Sequence, residues 1–383
     1  MQLNRSALSI PRERLAAELA QRIEWKKKIL QERDGTWGKD RVIINSYMEN
    51  IGWPELLRFD TNRCYADSAT QYEIDLRVKI FWLDNSIDDG VPGLDLNCTV
   101  GMYFDMTLFG LDITHTPQGV PQFGPHLLAR TPSLTVFRPH DFRTTGAMPA
   151  LLRQHQGLRE LAKTSQPELH VGFPLFHRGP LDLYIQMRTY EGFAEDTMER
   201  PEFLHQALNY LMEERARWNR ERAAYLGETP AATTFMADDW VYVPFISPAM
   251  FREFVLPAYR RSQALEGPIT GFHTCGSFVP FVDDLLREFP AIRSLDVSGW
   301  NDLAALHARV PQDISFSIAF INTFVLTASE QEHRERLELI RRVAKERKVS
   351  ICAQAMVRLH DTYEEDLGRM NRFIELAREV LSH

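Results

Sequence analysis

The chain has 383 residues, 44% hydrophobic and 25% charged, a balance ordinary for a globular protein and sufficient for one large core. A formal net charge of −8, with no long basic block, argues against a nucleic-acid partner. No run approaches the roughly 18 apolar residues of a membrane span, and residues 1–28 are polar without the apolar core of a secretory signal, so a cytoplasmic protein is expected.

In chain order, residues 11–34 read as a charged amphipathic helix, part of an N-terminal helical extension over 1–40. Residues 41–48 (RVIINSYM) are a short β-branched run and predict a strand. A helical stretch follows near 66–83, then a turn-rich segment over 84–95. Residues 99–105 (TVGMYFD) predict a strand, and 110–150, rich in Pro, Gly and His, read as long loops with short hairpins. From about residue 150 the pattern becomes regular. Strands are predicted at 169–175, 232–239, 269–275, 294–297, 314–320 and 349–354. Helices are predicted at 201–226, 247–265, 278–288, 302–310, 329–347 and 362–381.

Such alternation implies an α/β protein with a parallel sheet. No GxGxxG follows the first strand and no GxxxxGK[ST] occurs, so dinucleotide and P-loop folds have no support. With about eight strands, a closed (β/α)8 TIM barrel spanning residues 1–383 as one domain is the economical reading. Its chemistry belongs at the C-terminal ends of the strands.

Only four cysteines occur, too few for a disulfide scaffold, so grouped thiols are read as metal ligands or nucleophiles. His273 and Cys275 stand two apart on a predicted strand, and such residues share a face. Cys352 lies in the last predicted strand. One imidazole and two thiolates converging at a barrel mouth suit Zn²⁺ and leave room for a substrate atom. A lone H-x-C is also met among buried structural cysteines. Asp239 and Trp240 close the strand 232–239, which places a catalytic Asp239 and a substrate-binding Trp240 at the same mouth. Six histidines between 115 and 177 (His115, His126, His140, His155, His170 and His177) read as loop decoration rather than a second metal site. Arg138 and Arg143 face an anionic substrate, a partner or solvent, and the sequence does not choose.

Several segments together resemble the uroporphyrinogen decarboxylase superfamily. They are Gly172-Phe173-Pro174 through Gly179-Pro180-Leu181-Asp182, then Pro201-Glu202-Phe203, and Asp238-Asp239-Trp240 with Ile246-Ser247-Pro248 through Val255-Leu256-Pro257. His273-Thr274-Cys275-Gly276 follows. The resemblance covers residues 150–380, with Asp105 matching the family's substrate-binding aspartate for pyrrole nitrogens. The arginines with which the decarboxylases clasp substrate carboxylates are absent after the first strand, which reads Asn45-Ser46-Tyr47-Met48-Glu49-Asn50.

His273, Cys275 and Cys352 are instead similar to the zinc ligands of the superfamily's methyltransferases. Those enzymes move a methyl group from methylcobalamin on a separate corrinoid protein to a thiol, such as coenzyme M, or to tetrahydrofolate. The resemblance implies Zn²⁺, a corrinoid protein partner, a small-molecule methyl acceptor and a homodimer, with Asp296 available as a fourth ligand. Two other readings stay open. One is a metal-independent decarboxylase or lyase acting on a small carboxylate. The other is a non-catalytic barrel that binds a tetrapyrrole or a corrinoid protein.

Overall fold

A computed structural model describes residues 2–37, 41–48, 50–130, 132–138, 141–166, 168–354 and 358–382, with only the backbone described for 35–37. Glu49 and His140, singled out from sequence, lie outside the described residues. Ten strands are formed among these: β1 Ile43–Tyr47, β2 Asp95–Asn97, β3 Ile113–His115, β4 Pro121–Phe123, β5 His170–Gly172, β6 Thr234–Ala237, β7 Ile269–His273, β8 Ser294–Val297, β9 Ser315–Phe320 and β10 Val349–Gln354. β3 and β4 make an antiparallel hairpin. The other eight form the α/β barrel.

Six of these run in the order β1-β10-β9-β8-β7-β6, all parallel, and β2 pairs with β5 in parallel. β5 reaches β6 through Gly179, whose N–H donates to Ala237 O at 2.6 Å. The free edge of β1 is taken by the chain at Asp88 and Asp89. Asp89 N–H donates to Ile44 O, and the carboxylates of Asp89 and Asp88 accept from Ile44 N and Ser46 N at 3.0 and 2.8 Å.

Alternation along β9 shows how the wall is built. Phe316, Ile318 and Phe320 are buried, while Ser315, Ser317 and Ala319 are half-buried. Phe320 packs edge-on against Phe373 of helix Tyr363–Leu381 at 4.9 Å, so the apolar face looks outward to the helices. The small residues therefore face the barrel axis. Cys352 sits opposite Ala319 in the ladder and shares that inner face.

The N-terminal extension is integral to the core. Helix Leu15–Trp37 buries Leu15, Leu19 and Ile23 and lies along helix Ser68–Asn85. Lys26 pairs with Asp88 at 3.5 Å and Arg33 with Asp89 at 2.6 Å. No described helix is long and apolar enough to cross a membrane.

Three expectations are corrected. Residues 99–105 form no strand: the second barrel strand is β2, which ends at Asn97. The cause is local, because Gly101 (φ 111°) and Tyr103 (φ 63°) are left-handed and turn the chain into helix Phe104–Thr107. Asp105 is thus a helical residue. The loop reading of 110–150 holds until helix Met148–Ser165 begins. The helix expected over 247–265 is interrupted by a π turn at Phe251–Val255.

Candidate metal centre at the barrel mouth

β6 and β7 end side by side, and the residues that follow them build the site. β7 stops at His273, so Cys275 lies just past the strand rather than in it. The loop beyond is pinned. Gly276 O accepts from Ser298 Oγ and Asn301 Nδ2, both at 3.1 Å, and Asn301 Oδ1 accepts from Phe278 N at 3.0 Å. The Tyr242 ring covers Gly276 so closely that a Cβ there would lie 2.1 Å from Cδ2. Only glycine fits, and Cys275 is held exposed at the rim.

Asp238 and Asp239 follow β6 and point to different fates. Asp238 is wholly buried and accepts from Leu181 N (3.2 Å), Asp182 N (2.7 Å) and Tyr259 Oη (3.1 Å). It thereby caps helix Pro180–Arg188. Burial, with the nearby Asp182 carboxylate, pushes its pKa up to about 8. Asp239 is half-exposed and its Oδ1 lies 3.3 Å from His273 Nε2. Burial opposes its ionisation, but the His273 hydrogen bond and charge outweigh it and hold the pKa below the usual carboxylate range.

His273 is flanked on its other side by Asp296 of β8, with Nδ1 to Oδ2 at 3.2 Å. Burial lowers its pKa, but the hydrogen bonds to Asp239, Asp296 and Cys275 win and push it up to about 12. Without a metal it is an imidazolium between two carboxylates. Cys275 Sγ stands 3.9 Å from His273 Nε2. Donor atoms of Asp239, His273 and Cys275 all lie within 4.8 Å of one another, the arrangement of a metal-binding group.

Cys352 is not part of that group. It is half-buried on β10, and burial, with Asp88 and Asp296 nearby, raises its thiol to about 12. Trp240 stacks on Tyr190 (6.1 Å between centroids, 19° between planes) and meets Phe245 edge-on at 4.8 Å, so its ring belongs to an aromatic cluster beside Asp239. Asp105 is nearly buried. Its Oδ2 accepts from Arg178 Nε at 2.9 Å and its Oδ1 from Met106 N at 3.0 Å. Arg178 also pairs with Asp182 and lies 4.5 Å above the Tyr103 ring.

Arg178, Asp182, Asp238 and Gly276 were not found from sequence as site residues. Arg178 and Asp182 stand four apart, a weak signal. The other partnerships join residues far apart in the chain.

A family model described as uroporphyrinogen decarboxylase (URO-D) matches residues 98–360. The chain belongs to the uroporphyrinogen decarboxylase family. The matched span holds Asp105, Asp239, His273, Cys275 and Cys352, and it leaves the N-terminal helices and β1 outside. Among solved structures of the same fold, a methyltransferase from Methanosarcina mazei is similar with a TM-score of 0.61 and 14% identity, covering 89% of this chain and 94% of that one. No curated protein matches the chain.

Proposed function

We propose that this chain is a methyltransferase that binds Zn²⁺ through His273, Cys275 and Cys352, with Asp239 in the remaining position until a methyl acceptor arrives. The observation that carries this reading is the convergence of Asp239, His273 and Cys275 donors within 4.8 Å at a barrel mouth. Imidazole, thiolate and carboxylate are the donors zinc takes, so the residues fit the ion. Bound there, Zn²⁺ supplies the charge that keeps a coordinated thiol deprotonated at neutral pH. The methyl donor is methylcobalamin on a separate corrinoid protein, and the acceptor is a thiol or tetrahydrofolate. A methyltransferase on the same fold supports the reading.

The chain's own residues have distinct tasks. His273 Nε2 faces Cys275 and Asp239, so it is the nitrogen turned toward the metal position. Nδ1 faces Asp296, which would fix the ring's tautomer and orientation as an outer carboxylate. Asp296 is thereby better suited to orienting His273 than to serving as a fourth ligand. Cys352, on the inner face of the wall, brings the second thiolate.

The test is metal analysis of the reduced protein, with methyl transfer from methylcobalamin to simple thiols and to tetrahydrofolate. Close to one zinc per chain is expected. Cys352→Ala is expected to lose most of the metal while keeping the helical circular dichroism of the parent. A reduced, folded protein without zinc rejects the reading. Retention of full zinc by Cys352→Ala removes Cys352 from the ligand set.

A further inference from the structure

The other half of the mouth, at the ends of β2 and β5, opens into a cavity of about 550 Å³. Its wall carries six aromatic rings: Trp53, Phe59, Tyr65, Tyr103, Phe104 and Phe173. A space of this volume encloses a small organic molecule. Gly101 and Tyr103, both left-handed, shape the loop along one side. Arg178 lines the cavity and bridges to Ala237 at the end of β6, two residues before Asp239, so this space lies beside the β6 end of the mouth.

The one arginine in the wall is already paired within the protein, and so is the lysine beside it. Arg178 is held by Asp105 and Asp182. Asp75 is held by Lys79 at 3.1 Å and accepts from Asn97 N at 3.2 Å. Apart from His177, these are the ionisable Asp, Glu, Lys, Arg and His groups among the described lining residues. A carboxylate, sulfonate or phosphate entering here meets no free Lys or Arg, and burying an unpaired charge is costly.

We propose that this cavity binds an uncharged aromatic small molecule, its ring among the six aromatic side chains. It rests on the methyltransferase reading only in that the molecule is then a substrate of that reaction.

Calorimetric titration of the full chain, with and without zinc, tests the binding directly. The probes are p-cresol, toluene and 4-methylbenzoate, none of which carries a thiol. p-Cresol is expected to bind in both metal states, and 4-methylbenzoate about tenfold or more weakly. Val78→Trp, which fills the cavity, is expected to abolish binding of p-cresol and of toluene. Equal or tighter binding of 4-methylbenzoate overturns the proposal. So does unchanged p-cresol binding by Val78→Trp, shown to be folded by circular dichroism. Because the probes need no metal, a protein that binds p-cresol but never zinc refutes the methyltransferase reading alone. A zinc-loaded, methyl-transferring protein that ignores p-cresol refutes the cavity assignment alone.

Discussion

His273 concentrates the chemistry of the mouth because each ring nitrogen has a carboxylate and one also has a thiol. Asp239 is the group with the least structural work among these: it is half-exposed and caps nothing, unlike its neighbour Asp238. Asp239→Ala is therefore expected to leave stability within about 1 kcal/mol of the parent. It is expected to weaken zinc binding about 10–100-fold, read by competition with a chelator. Unfolding of that variant, or unchanged metal affinity, contradicts the assignment. Asp105 yields a second expectation. Both its oxygens accept hydrogen bonds from the protein, and Arg178 is paired with two carboxylates. A porphyrinogen bearing several acetates then finds no free cation among these groups. No coproporphyrinogen should form when uroporphyrinogen is supplied, and detectable turnover in that assay shows the exclusion to be wrong.

The joints between elements explain how a barrel wall with an uncovered edge is held. Asp89 is the clearest case. It is almost fully buried, accepts from Ile44 N of β1, and pairs with Arg33, Arg41 and Arg378. It thus ties the N-terminal helix, β1 and helix Tyr363–Leu381 together. Burial disfavours its ionised form, but the Ile44 hydrogen bond and the arginines prevail and depress its pKa. A depressed carboxylate stabilises the fold above the unfolded value of about 4, and that stabilisation is lost as pH falls through the folded pKa. Asp89→Ala leaves buried arginines uncompensated and is expected to cost about 3–5 kcal/mol in urea melts at pH 7. Asp89→Asn should flatten part of the acid limb below pH 4. A stability–pH curve identical to the parent's shows that Asp89 is not the acid-sensitive joint. Element boundaries follow the same logic of local against distant causes. Helix Pro201–Leu226 begins at a proline and stops before Gly227 (φ 72°), both readable in the chain. The π turn at Phe251–Val255 ends two residues before Pro257, which lacks the N–H an unbroken helix would donate to Glu253 O.

At the scale of the whole molecule, the N-terminal helices complete the core instead of decorating it. Leu3, Ala7, Leu15, Ala16, Leu19 and Ile23 are buried, and Arg22 pairs with Asp84 at 2.8 Å. A chain of residues 41–383 would expose this apolar seam and remove Arg22 from Asp84, Lys26 from Asp88 and Arg33 from Asp89. It is expected to be insoluble or to lack a cooperative thermal transition. A soluble 41–383 protein with a melting temperature near the parent's makes the extension dispensable.

The sequence by itself determined the α/β class, most of the strands and helices after residue 200, and the pairing of His273 with Cys275. These depend on short-range causes: alternation at period two, helix caps, and a spacing of two residues at a strand end. Family resemblance was legible in the same stretch, and the family match covers it. The tertiary structure alone decided which groups meet His273. Asp239 and Asp296 come from neighbouring strands, and their approach depends on how far each strand runs before it turns. It also put Asp239, and not Cys352, among the donors within 4.8 Å of one another, paired Arg178 with Asp105 across 73 residues, and turned Asp105 onto a helix. Barrel closure sets those distances, and the desolvation of charges that follows is a property of the packed interior, with no local pattern in the chain to announce it.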